Sequence, residues 1–95
     1  MIVGGGPGGY AAALYAPNFG LTVALVEKDK VGGTCLHRGC IPAKSWLHTA
    51  EVFTTVRDAA LFGVVAVPPN LDWATALGRK NGVVDQIHSG LSGLL

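Results

Sequence analysis

At 95 residues, 49% of them hydrophobic, the chain has the length of one small domain and the composition of a globular rather than a disordered protein. Seven Lys and Arg against six Asp and Glu leave a net charge of +1 at pH 7, with no basic stripe and no acidic tail. Nucleic-acid binding is set aside on that ground.

From Met1 to Val26 no residue is charged. A secretory signal needs a positive start and an unbroken apolar centre, whereas this stretch lacks Lys and Arg and is interrupted by glycines 4, 5, 6, 8 and 9, Pro7, Pro17 and Asn18. No apolar run approaches the ~20 residues of a spanning helix. The expectation is a cytoplasmic chain with no membrane segment, and in that compartment a cysteine pair is more often catalytic than structural.

In chain order, Met1 to Val3 reads as a strand stub that turns at Gly4 into an alanine-rich helix from Gly8 to about Asn18. Pro17 removes a backbone donor and should fray or kink the last turn, and Gly20 should end it. Leu21 to Val26 is an apolar run of the kind a parallel sheet buries on both faces. Pro42 suits the first turn of a helix reaching about Leu61 and closed by Gly63. Val64 to Val67 is a short extended piece, and Pro68 and Pro69 make the one clear break. Beyond it Trp73, Leu77, Val84, Ile87, Leu91 and Leu94 recur at helical spacing, an amphipathic helix weakened by Gly78, Gly82, Gly90 and Gly93.

The first two strands and the helix between them make a βαβ unit, and its first turn carries G-x-G-x-x-G at Gly4, Gly6 and Gly9. In that pattern the first glycine makes the tight turn, the second lets backbone approach a pyrophosphate, and the third lets helix and strand pack closely. The helix N-terminus adds amide groups and a partial positive charge. Glu27 stands at the end of the second strand, where an acid bonds ribose hydroxyls. Its bland reading is a solvated charge at a strand end.

Downstream, Cys35 and Cys40 lie in GGTCLHRGCIPAK, residues 32 to 44. Zinc could recruit Cys35, His37, Cys40 and His48, although the spacing does not match the usual finger patterns. An iron-sulfur cluster needs more cysteines than the two present. A structural staple across so short a loop stabilises little. A redox-active disulfide is favoured, and it constrains the backbone. Residues five apart in a regular helix rise by about 7.5 Å, beyond the usual disulfide Cα separation, so residues 35–40 cannot be regular helix when oxidised. A thiolate at the following helix N-terminus has its pKa lowered, as disulfide exchange requires.

The segment GGTC-x4-GC-I-P-x-K, with GGGPGGY upstream and VEK at the end of the second strand, resembles the flavin disulfide oxidoreductases. Leu36 and Ile41, where the glutathione and mercuric reductases more often carry valine, tilt the resemblance towards the lipoamide branch. It implies an α/β fold: a partial Rossmann-like FAD-binding domain, with the βαβ unit followed by a redox-disulfide helix and a further amphipathic helix. Residues 1–95 would be the N-terminal part of an FAD/NAD(P)-binding domain. Cys35 would be the interchange thiol, while Cys40 would lie against the flavin ring in a charge-transfer pair. Gly4, Gly6, Pro7 and Gly9 would hold the FAD pyrophosphate and Glu27 its ribose. Lys28, Gly33, Thr34 and Cys35 would complete the cradle, with Lys44 near the ring. The parent enzyme would oxidise dihydrolipoamide, carried on an acyltransferase lipoyl domain, and reduce NAD, working as a homodimer. The alternatives are a glutathione or mercuric reductase type and a truncated, non-catalytic nucleotide-binding module.

The departures from that family are also specific. The first strand lacks its usual beginning, Pro17 replaces a small helix former, and Ala43 stands where serine is common. Full members are several times longer, and their catalytic His-Glu motif is not matched by His37, His48 or His88.

Overall fold

A computed structural model describes residues 1–95. Two short parallel strands, β1 (Ile2–Val3) and β2 (Leu25–Val26), pair Ile2 with Leu25 and Val3 with Val26. The Ile2 amide reaches the Ala24 carbonyl and the Gly4 amide the Val26 carbonyl, each at 2.8 Å. The expected strand from Leu21 is therefore shorter than the apolar run, because β1 supplies only two residues for pairing and residues 21–23 face no ladder. Hydrophobicity marks what a strand can bury. Pairing needs a neighbour.

Helix α1 (Pro7–Tyr15) begins at an extended Gly6 with Pro7 in its first turn, where a missing N–H costs nothing. The Tyr10 amide donates to the Gly6 carbonyl at 2.9 Å. The α-helix stops at Tyr15, three residues before the expected end, and tightens into a 3₁₀ turn over Ala16–Phe19. Pro17 lies inside that turn, and Gly20 closes it in the left-handed region at φ 73°.

Helix α2 (Gly33–Arg38) and helix α3 (Cys40–Arg57) are separated only by Gly39, whose φ of −125° and ψ of −106° leave the helical region. That break is the departure from regular helix which the cysteine spacing demands. Helix α3 ends before the expected Leu61, at Asp58, which is clamped by Arg57 at 2.8 Å and 3.0 Å. A 3₁₀ turn over Ala59–Phe62 then runs to Gly63. Residues 64–67 form no strand, and Val65 is wholly exposed.

Helix α4 (Trp73–Leu94) starts at Asp72, whose carboxylate accepts the Thr75 amide at 3.1 Å and the Thr75 hydroxyl at 2.6 Å. The Thr75 hydroxyl and amide hold the Asp72 carboxyl below its ordinary range. The packed face of α4 overlaps the predicted stripe, with Val84 buried and Leu91 half-buried, but does not fill it. Ala76 and Val84 are buried, while Trp73, Leu77, Ile87 and Leu94 remain exposed. Trp73 meets Trp46 of α3 edge to face, ring centroids 5.5 Å apart, and Arg79 donates to the buried Ser45 hydroxyl at 3.2 Å. The contact between α3 and α4 is thus part aromatic and part polar.

The core is small: Ala13, Leu36, Ala76 and Val84 are its buried apolar residues. The radius of gyration, 18.8 Å, exceeds the ~13 Å of a compact 100-residue domain. Val3, Phe19, Leu61 and Phe62 are all exposed.

Candidate functional site

The site is built around the glycine turn. Gly4 sits at the tip with φ 100°, as a tight turn after β1 requires. A methyl group added at Gly9 would collide with the Gly4 carbonyl, so the close approach of α1 to β1 depends on its absence. Gly6 and Gly8 face open space, where a Cβ would meet no atom within 4 Å. The Gly8 and Gly9 amides, in the first turn of α1, have no intrahelical acceptor.

Glu27 closes the loop from the end of β2. Its carboxylate accepts the Gly5 amide at 2.6 Å and the Asp29 amide at 3.0 Å. The Gly5 bond first, and the Asp29 bond second, hold its pKa below the ordinary glutamate range. The acid thus organises the loop itself, and each oxygen keeps lone-pair capacity for another donor.

The redox segment is tied directly to the loop. The Gly32 amide donates to the Gly5 carbonyl at 2.7 Å, and Gly33 lies so close to Gly6 that a Cβ there would stand 2.8 Å from the Gly6 Cα. Gly32 adopts φ 112°, a conformation a side chain would strain, and it starts α2. One turn later Cys35 is joined to Cys40 in a disulfide, with the Cα atoms 4.7 Å apart. Cys35 is half-buried and Cys40 exposed at the start of α3. Thr34 is exposed beside Cys35, Lys28 follows Glu27 on the surface, and Lys44 is exposed on α3.

The zinc reading does not fit this arrangement. Both cysteines are in the disulfide, His37 bonds the Val31 carbonyl at 2.9 Å, and His48 pairs with Glu51 at 3.2 Å.

Sequence reasoning missed the share of α4. A groove of about 800 Å³ has Glu27 to Lys30, Gly33 and Thr34 on one wall and Lys80, Asn81 and Asp85 on the other. Lys80, Asn81 and Asp85 carry no motif. Their polar spacing on an amphipathic helix was visible, but only the contacts with α2 and α3 say which way that face turns.

With the loop, the strand-end acid and the disulfide in one place, the class follows. The family model of the pyridine nucleotide-disulphide oxidoreductases matches residues 1–95, and the chain belongs to that family. Among its relatives, a dihydrolipoyl dehydrogenase of Acholeplasma laidlawii is 51% identical over 96 residues, covering 100% of this chain and 29% of that protein. A dihydrolipoyl dehydrogenase of Bacillus subtilis is 48% identical and one of Pseudomonas aeruginosa 43%, each match covering 100% of this chain. The chain spans 20% and 21% of the length of those two proteins. The lipoamide tilt read from Leu36 and Ile41 agrees with the names of these relatives. No helix is long and apolar enough to cross a membrane.

Proposed function

We propose that residues 1–95 are the FAD-cradling, redox-disulfide segment of a cytoplasmic dihydrolipoyl dehydrogenase, the N-terminal part of its FAD/NAD(P)-binding domain. The observation that carries this reading is the Gly32 to Gly5 hydrogen bond at 2.7 Å, which joins the dinucleotide loop to the helix bearing the disulfide. Cofactor and cysteine pair are then positioned by one continuous piece of backbone.

The residues present fit FAD. Gly4, Gly6, Pro7 and Gly9 form the pyrophosphate turn, with the open space at Gly6 on the ligand side. Glu27 takes the ribose hydroxyls with the lone pairs that Gly5 and Asp29 leave. Lys28, Gly33, Thr34 and Cys35 would continue the cradle, Lys44 would lie near the ring, and the groove mixes Lys28, Lys30, Arg38 and Lys80 with Glu27, Asp29 and Asp85. Bound FAD would supply a two-electron acceptor able to reduce NAD.

The chain's own chemistry is thiol exchange. One thiolate of dihydrolipoamide attacks the Cys35 sulfur, the bond between Cys35 and Cys40 breaks, and Cys40 leaves as a thiolate. The second substrate thiolate attacks the substrate sulfur of the mixed disulfide, releasing lipoamide and the Cys35 thiolate. The substrate loses two electrons and two thiol protons, and the cysteine pair is reduced. Cys40, at the N-terminus of α3, has its thiolate favoured by the helix dipole. The substrate is carried on an acyltransferase lipoyl domain, and the parent enzyme is a homodimer.

The test is a full-length enzyme carrying this segment, compared with Cys35→Ser. Wild type shows dihydrolipoamide-dependent NADH formation and, unreduced and denatured, no thiol at either position. The variant retains FAD and loses turnover. Turnover that persists in Cys35→Ser would overturn the assignment. The 95-residue chain alone is expected to exchange thiols without NAD-linked turnover, since nothing in it offers a second dinucleotide turn.

A further inference from the structure

A single peptide group joins three parts of the molecule. The peptide between Val31 and Gly32 donates its N–H to the Gly5 carbonyl at 2.7 Å. Its carbonyl oxygen receives two bonds, from His37 Nε2 at 2.9 Å and from His88 Nδ1 at 3.0 Å. A carbonyl only accepts, so both ring nitrogens carry protons, and a neutral His88 must be the Nδ1–H tautomer. The two rings meet edge to face with centroids 4.9 Å apart, and both are half-buried. Both lone pairs of the Val31 oxygen are thereby occupied.

The peptide needs that support. Gly32 has φ 112° and no side chain, so the peptide before it can rotate at little steric cost, and a rotated peptide would lose all three bonds together. His37 is six residues from Val31 and rides on α2 itself. His88 reaches Val31 from α4, 57 residues away. Helix α2 is only six residues long, too short to hold its own position, and it carries the thiol that must stand beside Cys40.

We propose that His88 is a positioning residue: through the Val31 carbonyl it holds the peptide in the orientation that links the glycine loop to α2. Cofactor retention and the state of the Cys35–Cys40 pair then depend together on one side chain of α4. The cofactor half of this inference rests on the reading under Proposed function; the disulfide half does not. When the peptide is free to turn, the start of α2 loosens and the effective concentration of Cys35 at Cys40 falls. The equilibrium affected is protein disulfide plus two glutathione thiols against protein dithiol plus one glutathione disulfide.

The experiment uses the full-length enzyme carrying this segment as wild type, His88→Phe and His88→Asn. Phenylalanine keeps the ring and its edge contact without a donor, and asparagine restores an N–H near the position of Nδ1. Loss of one net hydrogen bond predicts, for His88→Phe, an FAD dissociation constant raised about fivefold and a disulfide reduced about fivefold more readily in glutathione buffers. His88→Asn should return both to within about twofold of wild type. Unchanged values in His88→Phe overturn the proposal, and so does a failure of asparagine to restore them, which would make the effect one of packing. Nitrogen NMR of wild type in alkaline buffer is a separate check that no variant's folding can spoil. It should show His88 protonated on Nδ1, and protonation on Nε2 overturns the proposal. A wild type that binds no FAD would refute the functional reading while leaving the disulfide and tautomer measurements decisive here.

Discussion

A methyl group placed on Gly9 and one placed on Gly82 meet opposite surroundings. At Gly9 it collides with the Gly4 carbonyl, whereas at Gly82, in the middle of α4, it meets nothing within 4 Å. The same residue type therefore has two meanings in one chain. In residues 1–40 Gly9, Gly33 and Gly39 let backbone approach backbone, and the bonds of the loop, Gly4 to the Val26 carbonyl, Gly5 to the Glu27 carboxylate and Gly32 to the Gly5 carbonyl, cross long stretches of sequence. In α4 the glycines are sites where a helix lacks a side chain. The first region is specified by geometry, the second by little more than helical hydrogen bonding and one face of contacts.

The sharpest way to break that comparison is Gly9→Ala in a full-length enzyme carrying this segment. The added carbon has no flexible neighbour to displace, only a main-chain carbonyl. Overpacking of this kind costs about 3 kcal/mol at the upper end, so the FAD dissociation constant should rise by up to about two powers of ten and flavin should be lost on gel filtration. Normal flavin content would show that α1 and β1 can separate without consequence, and the distinction between the two regions would lose its basis.

How much of this was legible beforehand follows the same division. The glycine turn, Glu27 and the cysteine pair could be read because each has a fixed offset dictated by local backbone geometry. The break at Gly39 could be read for the same reason, since a disulfide cannot close along a regular helix. The extent of β2 could not, because pairing depends on β1 rather than on the Leu21 to Val26 run. The burial of the α4 stripe is only partly legible: Val84 is buried as the apolar periodicity implies, but Trp73, Leu77 and Ile87 stay exposed, and Arg79 and His88 of the same helix reach Ser45 and Val31. In sequence His88 reads only as a failure to match a His-Glu motif, and His37 as that or a candidate zinc ligand. Nothing in sequence spacing brings two histidines so far apart to one carbonyl.

A smaller effect is expected at Glu27, where the comparison can be sharpened by pH. The Gly5 amide holds its carboxyl below the ordinary range, so its contribution is fully present above about pH 4.3 and is lost as the pH falls through the lower folded value. The Gly5 amide resonance of wild type should therefore titrate with a midpoint below about 4.3, and that of Glu27→Gln should stay flat. The same variant should weaken FAD binding several-fold, leaving the disulfide intact. A Gly5 amide indifferent to acid in wild type would mean that the loop is held by its glycines alone.

The smallest effect, and the one of opposite sign, is Gly82→Ala. In an exposed helix interior glycine costs up to about 1 kcal/mol relative to alanine, through the backbone freedom it loses on folding. The added methyl has open space around it, so nothing offsets the gain. Thermal unfolding of the full-length enzyme should move up by a few degrees at most, and flavin content and thiol state should not change. The pairing of this result with Gly9→Ala is what gives it force, because the chemical change is identical and only the surroundings differ. Should Gly82→Ala instead destabilise, the open face of α4 must be covered in the full-length enzyme by a part of the chain that approaches Gly82 closely. That outcome would move Gly82 into the same category as Gly9, and α4 would have to be read as a second region built on close backbone contact.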